Sequence, residues 1–105
     1  MQNSINLLRC NDNIIINKKL IHEIGIDAAI LYSELLNRYE HLQQRDVLES
    51  DIFEYTIIDM NKAITLTGYQ QRKAIKTLEK QGLIVSKVCG LPAKRYFKIL
   101  TDERT

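Results

Sequence analysis

Tyr69, Lys73, Lys76 and Lys80 recur at steps of three and four, with Gln70 and Thr77 along one margin and Arg72 along the other. Wound at about 100° per residue, they occupy one side of a helix that starts near Gly68 and stops at Gly82. Gln71, Ala74, Ile75 and Leu78 fall on the opposite side and read as its packing face. Lysines in such a row bind anions, phosphates above all. Gln70 and Arg72 are the side chains whose hydrogen-bond geometry suits adenine and guanine edges. An apolar back for the core and a polar, cationic front is what a helix in the major groove of DNA requires. The plainer alternative is a solvated helix surface, on which acids would interleave with the bases and relieve their repulsion.

Charge along the chain bears on that choice. The whole sequence of 105 residues carries a formal +2, which implies no partner. Residues 1–61 hold ten acidic against five basic groups, a net of −5, whereas residues 62–105 hold ten basic and three acidic, a net of +7. Between Lys62 and Lys98 there are nine Lys or Arg and the single acid Glu79. A block of one sign within a folded domain is the footprint of a phosphate-binding face.

Other chemistries lack their residues. Cys10 and Cys89 stand far apart with no Cys-x-x-Cys spacing, so they read as two reduced, partly buried thiols. His22-Glu23 lacks the second histidine of a zinc-protease helix, and His41 reads as another surface or boundary residue. No glycine-rich phosphate loop and no nucleophile beside a base occurs. No enzyme, metal site, small-molecule substrate or cofactor is therefore expected. The longest apolar stretch runs only from Ala28 to Tyr32 and no signal peptide opens the chain, so a cytoplasmic protein without a membrane span is expected.

Length and composition, with 45% hydrophobic and 27% charged residues, fit one globular domain. Residues 5–10 and 14–16 read as two short strands around an Asn/Asp turn. Lys18 to Ile24 reads as a short helix ended by Gly25, and Ile26 to about Gln44 as the longest one, with Asp27 in its first turn. Residues 45–51 suit a loop, and Phe53 to Tyr55 a brief strand. Thr56-Ile-Ile-Asp59 and Thr67-Gly-Tyr-Gln70 are capping-box patterns opening two further helices. After Gly82 the period becomes strand-like on both sides of Cys89-Gly90-Leu91-Pro92, a hairpin with Lys94 and Arg95 just past its tip and Phe97 and Ile99 as anchors. Tyr32, Tyr39 and Tyr55 read as core, leaving Tyr69 and Tyr96 to face a ligand.

Helix, three-residue turn, capped helix and hairpin together make an α+β, mainly α fold: a helix-turn-helix over residues 56–82 and a β-hairpin wing over 83–100. The run Thr67-Gly-Tyr-Gln-Gln-Arg-Lys-Ala-Ile-Lys-Thr-Leu-Glu-Lys-Gln-Gly-Leu-Ile84 resembles the recognition helix and first wing strand of bacterial winged helix-turn-helix proteins. Upstream, Leu20-Ile-His-Glu-Ile-Gly-Ile-Asp-Ala-Ala-Ile-Leu31 is similar to the opening of DNA-binding domains of phage and plasmid replication initiators and replisome organisers in low-GC bacteria. The resemblance implies DNA contacts from Thr67, Tyr69, Gln70 and Lys73 in the helix and from Lys94 and Arg95 in the wing. The length of 105 residues leaves no space for the second domain of those proteins, so the expectation is the DNA-binding module alone, acting in transcription regulation or as an accessory to replication. The competing expectation is a winged-helix protein-interaction module, which would more often expose apolar anchors on that helix. The breadth of the 26–44 helix, with Leu31, Leu35 and Leu42 on one line and Tyr32, Leu36 and Tyr39 on the next, adds the expectation of a homodimer.

Overall fold

The computed structural model describes residues 13–45 and 51–100. In chain order its elements are α1 (Lys18–Ile24), α2 (Ile26–Gln44), β1 (Ile52–Glu54), α3 (Ile57–Ile64), α4 (Gly68–Lys80), β2 (Ile84–Cys89) and β3 (Lys94–Ile99). The strands form one antiparallel sheet in the order β1-β3-β2, with Phe53 opposite Phe97 and Ser86 opposite the same residue on the other side. This is an α+β domain in which a helix-turn-helix is followed by a hairpin wing.

Local chemistry sets each boundary. Asn17 caps α1 through its side-chain oxygen, which accepts from the N–H of Lys19 at 2.7 Å and of Leu20 at 3.3 Å. Gly25 then takes φ +90°, closed to most side chains, and its N–H donates to Ile21 O, so α2 begins one residue after α1 ends. Thr56 Oγ1 accepts from the N–H of Asp59 to open α3. At the far end of α4, Gly82 with φ +74° supports two backbone bonds, Gly82 N–H to Glu79 O and Leu83 N–H to Leu78 O. That Schellman arrangement closes the helix and aims the chain into β2.

The core lies between the inner stripe of α2, the back of α4 and the inner face of the sheet. Leu31, Leu35, Met60, Leu78 and Phe97 are almost wholly buried there. The second line on α2 is half-buried against the same core: Tyr39 stacks at 5.9 Å from Phe53, and Tyr32, Leu36 and Leu42 pack beside it. Part of the breadth of that face is thus taken up within the chain.

Three expectations shift. Residues 14–16 form no strand, since β-prone isoleucines need a paired neighbour and Ile15 stands in solvent; the stretch 5–10 lies outside the described residues. The brief strand is displaced by one residue to Ile52–Glu54, although Tyr55 N–H still donates to Arg95 O. Cys89 is exposed rather than partly buried, because it ends β2 at the hairpin tip.

One buried polar pair was not legible beforehand. Tyr55 OH donates to Glu34 Oε2 at 2.5 Å, and the Arg38 guanidinium sits 4.4 Å from the ring centroid. Burial first, and the Glu34 hydrogen bond second, push the Tyr55 hydroxyl up from 10.0 to about 12, against a smaller opposing pull from Arg38. The folded chain therefore holds this proton more tightly than the unfolded chain. The stabilisation is full below pH 10 and falls as pH climbs toward 12. Denaturant titrations should show that decline, and Tyr55→Phe should flatten it. The same variant should lose about 1–3 kcal/mol at neutral pH, where Glu34 is left buried without this donor.

Candidate nucleic-acid interface

The turn between α3 and α4 is fixed by polar side chains rather than by a glycine. Thr65 adopts a left-handed φ of +61°, uncommon for a β-branched residue, and its N–H closes on Asn61 O at 2.8 Å. Asn61 Nδ2 donates to Leu66 O at 2.9 Å, and Gln71 Nε2 donates to the same carbonyl at 2.8 Å and to Ile57 O at 3.1 Å. Gln71 is fully buried, so α3, the turn and α4 hang on one amide.

From this support α4 projects one face outward. Tyr69 is 64% exposed, and Lys73, Lys76 and Lys80 stand exposed in line with it. Lys73 Nζ lies 5.5 Å from the Tyr69 ring centroid, a cation over an aromatic face. Arg72 is exposed on the margin nearest α3, while Gln70 and Thr77 border a groove between α4 and the start of α2, whose walls include Gly25, Ile26 and Asp27. Glu79, the single acid in the basic block, is turned away: its Oε2 accepts from the N–H and the hydroxyl of Ser86 at 3.2 Å each. The acid that could have neutralised the lysine row instead fastens α4 to β2.

Two sequence assignments change. Gln70 Oε1 accepts from Thr67 N–H at 2.9 Å while Thr67 Oγ1 accepts from Gln70 N–H at 3.1 Å, a complete capping box. In this structure its carbonyl holds the helix start and does not face outward toward a base edge. Thr67 is likewise exposed but already used as the cap. The larger correction concerns Arg95. It was placed with Lys94 beside a phosphate backbone, yet it is only 8% exposed and points inward. Alternation along β3 decides this: Arg95 shares parity with Phe97 and Ile99, both buried, so an inward Phe97 requires an inward Arg95. Its Nε donates to Tyr55 O at 3.2 Å and its Nη2 to Gln71 Oε1 at 2.6 Å, with the guanidinium 5.1 Å from the Phe97 ring centroid. Lys94 remains exposed at the root of the tip, and Leu91 protrudes fully from it.

The assembled site is a cationic helix face with an exposed wing beside it, built to meet a polyanion. Among the described residues no group of three or more His, Cys, Asp or Glu gathers to hold a metal, and no helix is long and apolar enough to cross a membrane.

No protein-family model matches the chain, nor does any curated protein. Solved structures do share the fold. A chain of a Rep–DNA complex superposes with a TM-score of 0.67 at 19% identity, over 96% of this chain and 82% of that one. The N-terminal domain of a DNA-binding protein superposes with a TM-score of 0.65 at 18% identity and the same coverages.

Gln70 and the lysines should separate in a stability assay. Gln70→Ala removes half of a capping box and should lower stability by about 0.5–1 kcal/mol. Lys76→Ala should stay within about 0.5 kcal/mol of the parent, as exposed substitutions do. Chemical denaturation of both variants checks the pair, and equal losses would remove the capping role.

Proposed function

We propose that the protein binds double-stranded DNA through its winged helix-turn-helix, as a transcriptional regulator or accessory replication protein of a phage, plasmid or related element. The observation that carries this reading is the face Tyr69, Lys73, Lys76 and Lys80. It is exposed and cationic along its length, and Glu79, the single acid of the basic block, is engaged with Ser86. A helix that docked a protein would more often present apolar anchors there. Fold likeness to a chain of a Rep–DNA complex supports the DNA reading.

Within this reading α4 enters the major groove, its lysines neutralise phosphates on either side, and Tyr69 with Arg72 stands nearest the base edges and flanking backbone. Lys94 reaches the backbone from the wing. Affinity comes chiefly from counterion release.

Duplex binding measured from 50 to 200 mM salt should weaken by roughly 10³. Lys76→Ala and Lys80→Ala should weaken all sequences nearly equally and each flatten the salt slope by about one. Lys94→Ala should lower affinity without moving the thermal midpoint. An affinity that stays flat with salt, or no duplex bound even at low salt, defeats the reading. Preserved binding of a protein partner under those conditions would favour the interaction-module alternative.

A further inference from the structure

Positive charge gathers where α3 and α4 begin. The Gln71 amide pins Ile57 O to α4, and a Cβ built on Gly68 would stand 3.7 Å from Ile57 Cγ2, so the two helix starts abut. The same point lies 3.3 Å from Arg72 Nη1, which places the Arg72 guanidinium back over the first turn of α4. Helix N-termini carry partial positive charge from N–H groups that have no partner within the helix. Behind the junction lies Arg95. It donates to a carbonyl and to an amide oxygen, and its Nη1 is buried with no hydrogen-bond partner among the described residues. Burial, and then the Arg72 charge, hold its pKa below the ordinary arginine value. Asp59 is the one acid in the first turn of either helix, and α4 has none there.

A buried cation bonded only to neutral oxygens, with a second cation beside it, is costly to the chain alone. We propose that this junction is a seat for one phosphate group, held directly by Arg72 at the two helix starts, with Arg95 behind as a positioning residue whose charge the phosphate balances. The proposal rests on the DNA reading and deepens it. The phosphate is that of the duplex backbone along the margin of α4 nearest α3, and a free phosphate ion offers the same chemistry. Arg72 on this account holds the backbone and is not a reader of guanine.

The test uses the full chain, with Arg72→Ala and Arg95→Met as variants. Thermal midpoints are read in sodium phosphate against sodium chloride at matched ionic strength, and duplex affinity is read against salt. Phosphate should raise the parent midpoint a few degrees beyond chloride. Both variants should lose that difference, and Arg72→Ala should flatten the duplex salt slope by about one. A parent midpoint indifferent to phosphate, or a phosphate-specific rise that survives either substitution, overturns the seat. Arg72 is exposed, so its variant decides the matter even where Arg95→Met does not fold. Duplex binding by the parent with an unchanged slope in Arg72→Ala removes the seat and leaves the DNA reading standing. A phosphate-specific rise in a chain that binds no duplex removes the DNA reading and leaves the seat.

Discussion

The hydrogen bond from Arg95 to Gln71 joins the two halves of the domain. On one side of it lies the sheet, to which Arg95 belongs; on the other lies Gln71, whose amide holds Ile57, Leu66 and through them both helices of the helix-turn-helix. Every donor and acceptor on the Gln71 amide is used, so loss of either partner strands a buried polar group. The interaction is polar and interior, which makes its geometry specific in a way that aliphatic packing is not.

A second fastening lies at the other end of α4, where Glu79 grips Ser86. Between the two fastenings the buried stripe Ala74, Ile75 and Leu78 presses on the core and the opposite stripe is left for solvent. The chain thus spends its polar residues in two distinct ways. Asn61, Gln71, Glu79 and Arg95 build the scaffold, and Lys73, Lys76, Lys80 and Lys94 stand free of it.

Much of this was legible in the residue pattern. Helical spacing located α2 and the two faces of α4, the Thr-x-x-Gln motif located the start of α4, and glycines at 25 and 82 marked helix ends that proved to have positive φ. Periodicity failed where residue type and position pull in opposite directions. Arg95 has the chemistry of a surface and the parity of a core residue, and parity won because Tyr55 and Gln71 supply its hydrogen bonds from distant parts of the chain. Gln70 matched both a cap and a base reader, and the local cap takes the oxygen. The Tyr55–Glu34 pair joins residues 21 apart in sequence, and no spacing rule reaches that far.

The fastenings at Gln71 and Glu79 make the wing and α4 a single calliper with a set opening. Its jaws are the lysine row on one side and the strand ends around Lys94 on the other. On the proposed DNA reading, a duplex gripped by both jaws must bring its backbone to that opening, so steps that narrow or widen a groove at little cost are favoured over stiffer ones. Part of any sequence preference then resides in the deformability of base pairs that no side chain touches.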